Sequence, residues 1–295
     1  MKNIILDTDM GNEVDDQFAL AYLIKSLDKE ELNLQAITIA PFSNSGYANT
    51  KTIEEGTELS FKLTCNILSM LDKNELKSMV YKGALSYYTD KKEDNEGTNK
   101  IIEIARKNDM TTIVAIGAIT NVALALDRAP DITDKIEVIW LGGNSFLSDR
   151  NDEFNFRQDI EGVRKLFNSK VNLTVIPCLN VASNMGISIY ELQHYIGHLG
   201  EIGSYLCQAM KDCKKAFTKS PLDEVGQTKT IWDLAAVAFA MHKEWFATKE
   251  ISCPDILDDL SYAYTTDNHK INFVSNLSRH KIYQDFFLKM GYSCK

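Results

Sequence analysis

Two pairs of aspartates lie close together near the start of the chain, directly after a short apolar run. The segment Ile4–Leu6 is followed by Asp7-Thr8-Asp9, and Asp15-Asp16 comes after a turn that contains Gly11. An apolar run that stops abruptly at acidic residues is typical of a buried parallel strand whose carboxyl end carries a site. From Asp15 onward, apolar residues recur at helical spacing. The pattern predicts a strand, a turn and a helix, with four aspartates crowded into the turn.

Carboxylates at such close range repel one another and raise one another's pKa unless a cation lies among them. A hard divalent ion is the obvious candidate. The alternative is that Asp15 and Asp16 only favour the positive end of a helix, with Asp7 and Asp9 solvated. An EF-hand does not fit, because its glycine would come one place early and its closing glutamate would fall on Phe18.

The length and composition suit one large α/β domain, or two small ones, with a sizeable core. The 295 residues are 44% hydrophobic and carry a formal charge of −9, with no basic run that would favour nucleic acid. No apolar stretch approaches the roughly 20 residues of a membrane helix. The core strand begins so near Met1 that we expect no signal segment and a cytoplasmic protein. The six cysteines lack paired spacing and are interpreted as thiols, without a zinc site.

Apolar strands alternate with helical segments through most of the chain. This order predicts an open, mostly parallel but mixed twisted sheet, covered by helices on both faces, with ligands beyond the carboxyl ends of the strands. No linker or repeat interrupts it, so we expect a single domain over residues 1–295. The predicted strands are 32–40, 111–117, 136–141 and 171–177; the predicted helices are 47–71, 159–168, 189–211 and 231–243; and residues 214–229 are predicted to form a mobile flap.

Four segments resemble the motifs of the nucleoside hydrolase family, in the same chain order. The opening aspartates resemble that family's DTDPG signature followed by DD, and Gly117–Asn121 resembles its GPLTN stretch. Glu153-Phe154-Asn155, with Asp159, resembles E-F-N-x-x-x-D, and Ile231–Leu234 resembles a late helix start. The resemblance implies a nucleoside-hydrolase-like fold. It also implies calcium-dependent hydrolysis of the N-glycosidic bond of ribonucleosides, which releases free base and ribose.

The same resemblance assigns the metal ligands. Ca²⁺ would be held by the carboxylates of Asp9, Asp16 and Asp233 and by the backbone carbonyl of Thr120, and Asp9 would also be the general base toward a water molecule. Asp7 would support the turn. Without the family, Thr120 is most simply a helix N-cap and Asp233 an acid in the first turn of a helix.

Substrate contacts are implied for residues on several strand ends. Asp15 would bind the ribose 2′-hydroxyl, and Glu153, Asn155 and Asp233 would hold the sugar. Asn44 matches a family asparagine only with a shift in alignment. A further ribose-binding asparagine of the family corresponds to either Asn144 or Asn151.

The opening turn departs from the family pattern. Asn12, Glu13 and Val14 stand where the family usually has one residue, and Met10 replaces its proline. The turn is therefore longer and carries an additional carboxylate. We expect Glu13 to point to solvent rather than to compete for the metal.

The residue before the late aspartate bears on the leaving group. Many pyrimidine-accepting or nonspecific members have histidine there as an acid, whereas purine-preferring members have tryptophan, as here at Trp232. An indole can stack on a purine, so we expect purine nucleosides to be favoured; the alternative is that Trp232 only packs in the core. His194 and His198, four residues apart, lack a glutamate between them and are not interpreted as a metal site.

Two rival functions remain open. Asp7-Thr8-Asp9 also resembles the nucleophile and acid of haloacid-dehalogenase-type phosphatases, although the Gly-Asp motif of that family is missing. The other rival is a non-catalytic, calcium-dependent ribosyl-binding protein. The nucleoside hydrolase resemblance implies a small nucleoside substrate, a place in purine salvage, no nucleic-acid or membrane partner, and a homodimer or homotetramer.

Overall fold

The computed structural model describes residues 1–89, 94–145, 148, 151–217 and 228–293. Twelve strands and ten α-helices lie within these ranges. The strands are β1 (Lys2–Thr8), β2 (Leu32–Ile39), β3 (Val80–Lys82), β4 (Thr111–Ala115), β5 (Ile136–Leu141), β6 (Asn172–Ile176), β7 (Gly186–Ser188), β8 (Thr228–Thr230), β9 (Phe246–Ser252), β10 (Asp255–Ile256), β11 (Tyr262–Ala263) and β12 (Lys270–Leu277). The helices are α1 (Asp15–Ser26), α2 (Ile53–Met70), α3 (Glu96–Lys107), α4 (Thr120–Arg128), α5 (Phe154–Gln158), α6 (Ile160–Asn168), α7 (Ile189–Ile196), α8 (Gly200–Phe217), α9 (Leu234–Met241) and α10 (Arg279–Met290).

Eight strands form one sheet in the order β3-β2-β1-β4-β5-β6-β12-β9. Every neighbouring pair is parallel except β9, which runs antiparallel to β12 at one edge. The expected open, mostly parallel, mixed sheet is thereby confirmed. Strand β1 lies inside the sheet between β2 and β4, so its carboxyl end opens among the ends of its neighbours.

Helices cover both faces of this sheet. One hydrophobic core joins β1 and β2 to α1, α7, α8, α9 and α10, and a second joins β4, β5 and β6 to α3, α4 and α6. Strand β5 contributes to both, with Ile139 facing the first core and Trp140 the second. Alternate side chains of a covered strand are buried on opposite faces, which is why the central strands are apolar throughout. In the part of the chain that the structure describes, no helix has the length and hydropathy needed to cross a membrane.

Several predicted boundaries differ from the observed ones. Helix α2 begins later than predicted because Thr52 is its N-cap and accepts a hydrogen bond from the Glu55 amide. The long helix predicted over 189–211 is two helices, separated near Gly200, whose φ of +72° lies in the left-handed region. The flap predicted over 214–229 falls largely on residues 218–227, which lie outside the described residues.

Asn121 joins three chain segments beneath the carboxyl end of β1. Its Nδ2 donates to Asp7 Oδ1 at 2.8 Å and to the Ile39 carbonyl at 2.9 Å, and its Oδ1 accepts from the Ala84 amide at 2.9 Å. The side chain is fully buried. Buried polar groups of this kind become costly when their partner is removed.

We therefore expect Asn121→Ala to lower the free energy of unfolding by about 2–4 kcal/mol, because it leaves the buried Ala84 amide without its partner and removes one hydrogen bond each from the Ile39 carbonyl and the Asp7 carboxylate. The same substitution at the exposed Asn99 is the matched control and should change it by less than about 0.5 kcal/mol. Urea unfolding followed by circular dichroism measures both. Equal effects at the two positions would contradict a structural role for the Asn121 amide.

Candidate active site

A cavity of about 500 Å³ opens at the carboxyl ends of the parallel strands, a size typical of small-ligand sites. It is framed by the segments that follow β1, β4, β5 and β6 and by the start of α9. Of the nine predicted site residues, all but Thr120 line it: Asp9, Asp15, Asp16, Asn44, Glu153, Asn155, Trp232 and Asp233.

The opening turn is held by its own side chains. The Asn12 amide nitrogen donates to Asp9 Oδ2 at 3.0 Å, and the Thr8 hydroxyl donates to Asp16 Oδ1. Gly11 has a φ of +92°, and a Cβ there would lie 2.6 Å from a methyl carbon of Leu63. The turn thus favours glycine at this position for its backbone conformation, and α2 packs closely against it.

Three carboxylates meet at the floor of the cavity. Asp15 and Asp16 begin α1, and Asp233 immediately precedes α9; one oxygen from each lies within 4.8 Å of the others. All three are buried. Asp9, also buried, lines the same cavity. Two of the three aspartates predicted as metal ligands, Asp16 and Asp233, therefore lie together with Asp15, and the third, Asp9, lines the same cavity.

Burial and mutual repulsion disfavour the charged forms of these groups. Burial raises the pKa of Asp16 to about 7, against hydrogen bonds that lower it. The pKa of Asp9 is raised well above its ordinary value by burial and then by the charges of Asp16 and Asp15. For Asp233, burial and the charges of Asp15 and Asp16 raise the pKa in the same way. These groups are buried oxygen donors with little positive charge near them. Such a set suits a hard divalent cation, so the residues present fit a metal ion.

Asp7 lies beneath the cavity rather than in its wall. Its Oδ1 accepts hydrogen bonds from the Thr38 hydroxyl at 2.5 Å and from Asn121 at 2.8 Å. Burial raises the pKa of Asp7 to about 6, although these two hydrogen bonds lower it. These contacts fit the supporting role expected for Asp7.

In the turn after β4, the cavity wall includes Ile116 and not the predicted Thr120. Thr120 is buried, begins α4 and donates its hydroxyl to Asp159, and it does not belong to the cavity wall. Ile116, four residues earlier, does line the cavity. Next to it, Gly117 passes so close to Asp9 that a Cβ would lie 3.0 Å from the Asp9 Cγ. The first residue after β4, rather than the first residue of α4, therefore lies in the cavity wall.

Glu153 and Asn155 are fixed by their own backbone surroundings. The Glu153 carboxylate caps α5, accepting hydrogen bonds from the Asn155 and Phe156 amides, and also accepts one from the Gly143 amide, all at 2.9–3.0 Å. The Asn155 side chain donates to the carbonyls of Ile116 and Leu141, at 3.0 Å each. Asn155 thereby ties the ends of β4 and β5 together at the cavity.

Of the other three asparagines considered, two line the cavity and one supports it. Asn44 lines the cavity and donates to Asn12 Oδ1 at 2.8 Å, which connects it through Asn12 to Asp9. Asn144 also lines the cavity. Asn151 instead accepts a hydrogen bond from the Asn144 amide and donates to the Leu260 carbonyl. Of the two alternatives left open by the sequence, the structure places Asn144 at the cavity.

Trp232 is half-buried, with part of its ring surface in the cavity wall and part packed against the hydrophobic core. The two interpretations of this residue are therefore compatible. Leu179, which is 47% exposed, and Cys178 also line the cavity. Burial raises the pKa of the Cys178 thiol well above its usual value, and this thiol hydrogen-bonds Glu153. Neither His194 nor His198 is among the residues that line the cavity in the described ranges.

Glu13 is not directed to solvent, so that prediction is wrong. Its Oε2 accepts a hydrogen bond from Lys229 Nζ at 2.7 Å, and its side chain is 28% exposed. The long turn brings Glu13 to the cavity wall, where a lysine of β8 neutralises it.

Sequence reasoning missed Ile116 and the pair of Glu13 and Lys229. No local pattern separates Ile116 from Thr120, because the close approach of Gly117 to Asp9 is a feature of the folded chain. The ion pair also has no local signal, since its partners are 216 residues apart.

Comparison with known proteins identifies relatives of this chain. An uncharacterized protein of Schizosaccharomyces pombe is 26% identical over 168 residues, which cover 55% of this chain and 50% of that protein. Uridine nucleosidase 1 of Arabidopsis thaliana is 30% identical over 108 residues, which cover 34% of this chain and 32% of that protein. The chain thus spans about half the length of the first relative and a third of the second.

Solved structures show the same fold. The purine-preferring ribonucleoside hydrolase from Gardnerella vaginalis superposes with a TM-score of 0.78 over 98% of both chains, at 22% sequence identity. A family model described as inosine-uridine preferring nucleoside hydrolase matches residues 4–281, which include every segment that frames the cavity. The chain belongs to the inosine-uridine preferring nucleoside hydrolase family.

Proposed function

We propose that this protein hydrolyses the N-glycosidic bond of ribonucleosides, releasing free base and ribose, with Ca²⁺ bound by its buried aspartates. The main support for the proposal is that Asp15, Asp16 and Asp233 lie together at the floor of a cavity of about 500 Å³. Asp9 lines the same cavity. The family membership of the chain supports the same reaction. It favours this reaction over phosphoryl transfer by a haloacid-dehalogenase-type phosphatase.

The metal would be held by Asp9, Asp16 and Asp233 together with a backbone carbonyl. For that carbonyl we propose Ile116 in place of Thr120, because Ile116 lines the cavity and Thr120 does not. Bound Ca²⁺ would supply positive charge that keeps the carboxylates ionised and makes a water molecule more acidic. Asp9 would accept a proton from the water that attacks the anomeric carbon, while the bond from that carbon to the base nitrogen breaks.

The sugar would be bound by the polar groups around this floor. We assign the 2′-hydroxyl to Asp15 and further hydroxyl contacts to Asn44, Glu153 and Asn155, with Asp233 contacting both metal and sugar. Asn44, Glu153 and Asn155 are fixed by hydrogen bonds of 2.8–3.1 Å to neighbouring backbone or side chains, as in the Glu153 contacts to three amides. Such preorganisation favours an oxocarbenium-like transition state, which needs an anionic environment near the ring.

Trp232 and the absence of histidine from the described cavity wall favour a purine leaving group. A purine can take a proton on its ring while it stacks on an indole, whereas no described residue of the wall is a histidine acid. Stacking contributes roughly 0.5–1.5 kcal/mol beyond burial, enough for up to about a tenfold preference in rate. We further propose a cytoplasmic homo-oligomer active in purine salvage, as the family resemblance implies; light scattering after size-exclusion chromatography tests the oligomeric state.

Metal binding should reduce the pH dependence of stability by removing the part that comes from its ligand Asp16. Because the folded-state pKa of Asp7 is about 6 and that of Asp16 about 7, both above the ordinary value, their contribution to stability is full at low pH and is lost as pH rises through these values. The metal-free protein should therefore melt about 5 °C or more lower at pH 8 than at pH 5.

Saturating Ca²⁺ should raise the melting temperature far more at pH 8 than at pH 5, since the ion replaces protons as the partner of the carboxylates. Differential scanning fluorimetry in EDTA and in Ca²⁺ measures this. Asp233→Asn should reduce the effect of Ca²⁺, while Asp131→Asn, at an exposed position, is the matched control. An equal Ca²⁺ response in all three proteins would contradict the proposed ligand set.

Asp9→Ala should lower kcat on the best nucleoside by at least about 10³-fold, because it removes a metal ligand together with a general base that alone contributes about 10²–10⁴-fold. A reducing-sugar assay measures ribose release, with circular dichroism to check folding. Release of inorganic phosphate from sugar phosphates, with no ribose from any nucleoside, would favour the phosphatase. Binding of ribosides with Ca²⁺ but without turnover would favour the non-catalytic protein.

Trp232→Ala should lower kcat/KM for inosine, adenosine and guanosine about tenfold and leave uridine and cytidine nearly unchanged, because the stacking surface for purines is lost. Trp232→Phe should retain most of the purine rate. The matched control is Trp245→Ala, since Trp245 stacks on His242 with ring centroids 3.8 Å apart and does not line the cavity. Uridine as the best substrate of the wild type would contradict the purine preference.

A further inference from the structure

The ion pair between Glu13 and Lys229 connects the opening turn to a distant strand. Lys229 Nζ donates to Glu13 Oε2 at 2.7 Å, and the two side chains are 12% and 28% exposed. Lys229 lies in β8, opposite Ile187 of β7, in an antiparallel pair of strands. The position of the lysine is therefore set by strand pairing, and the glutamate is drawn toward it.

Only one partner of this pair faces the cavity. Glu13 lines it, whereas Lys229 is not among its lining residues. Both act on Asp15: the charge of Glu13 raises the pKa of Asp15, and the charge of Lys229 lowers it. The pair thus lies within electrostatic range of the proposed metal position.

Without its partner Lys229, Glu13 would compete with water and substrate for the proposed metal ion. It stands two residues before Asp15, in a turn that carries two more residues than the family pattern. Calcium accepts 6–8 oxygen ligands in flexible geometry, and its affinity rises with the number of charged ligands. A free carboxylate at the cavity wall would therefore be attracted to the ion and would occupy space that a substrate hydroxyl or water needs.

We propose that Lys229 is a positioning residue that restrains Glu13 at the cavity wall, so that the carboxylate of the long turn stays out of the metal's coordination shell. This inference rests on the proposed function for its metal ion. Lys229 does not touch the substrate and acts only through Glu13, the side chain that it holds. The ion pair compensates for the additional acid that the longer turn introduces.

The proposal predicts that metal affinity and turnover change in opposite directions. Lys229→Met releases Glu13 and removes a cation, so Ca²⁺ should bind about three- to tenfold more tightly. In the same variant kcat/KM should fall about tenfold or more, because the released carboxylate fills a place needed for reaction. Lys229→Arg, which keeps the ion pair, should stay within about threefold of the wild type in both quantities.

The decisive variant is the double substitution Glu13→Gln with Lys229→Met. It removes the competing carboxylate and the cation together, so Ca²⁺ affinity and kcat/KM should both return to within about threefold of the wild type. Isothermal titration calorimetry with Ca²⁺ alone gives the affinity, and the reducing-sugar assay gives the rate. Lys243→Met is the matched control, since Lys243 forms a 2.5 Å ion pair with Glu137 away from the cavity; it should change neither quantity.

A lysine that only braced the fold would give a different result. Lys229→Met would then weaken Ca²⁺ binding and turnover together, and the double variant would stay impaired; either result overturns the proposal, as would unchanged values in Lys229→Met. Wild-type protein that binds Ca²⁺ but releases no ribose overturns the proposed function, while the calorimetry still tests the restraint on Glu13. Wild-type protein that binds no Ca²⁺ overturns this inference.

Discussion

The mutual repulsion of buried carboxylates is the constraint on which this site depends. Asp9, Asp15, Asp16 and Asp233 are all at most 5% exposed, and each has a raised pKa whose largest cause is burial. A protein does not gain stability from such a cluster unless positive charge or protons compensate it. The rest of the fold supplies a rigid frame that holds the acids in place: a strand end, a turn built on Gly11 and the starts of two helices.

Much of this frame was predictable because its signals are local. The apolar run of β1 ending at Asp7, and the change to helical spacing after Asp15, predicted the strand, turn and helix that the structure contains. The alternation of strands and helices predicted the open sheet, and the short motifs in chain order predicted seven residues that line the cavity. Each of these signals lies within a few residues of the feature that it predicts.

Other features were not predicted because they depend on how separate parts of the chain come together, which a single sequence does not show. Thr120 and Ile116 belong to the same turn, and only the path of the backbone past Asp9 decides which of them reaches the cavity. The edge strand β9 pairs with β12 through contacts distant in the chain, and its exposed side chains lack a strong pattern. Glu13 was expected in solvent because its partner, Lys229, follows it by 216 residues.

The segment from β8 to the start of α9 places several groups of the site at once. Lys229, Trp232 and Asp233 follow one another within five residues, so strand pairing of β8 with β7 fixes at once a cation, an aromatic surface and a carboxylate around the opening turn. The long turn can carry an additional acid because this segment also brings the lysine that neutralises it. A change that displaced β8 would therefore move the lysine, the indole and the Asp233 carboxylate together, since all three depend on the position of one short strand.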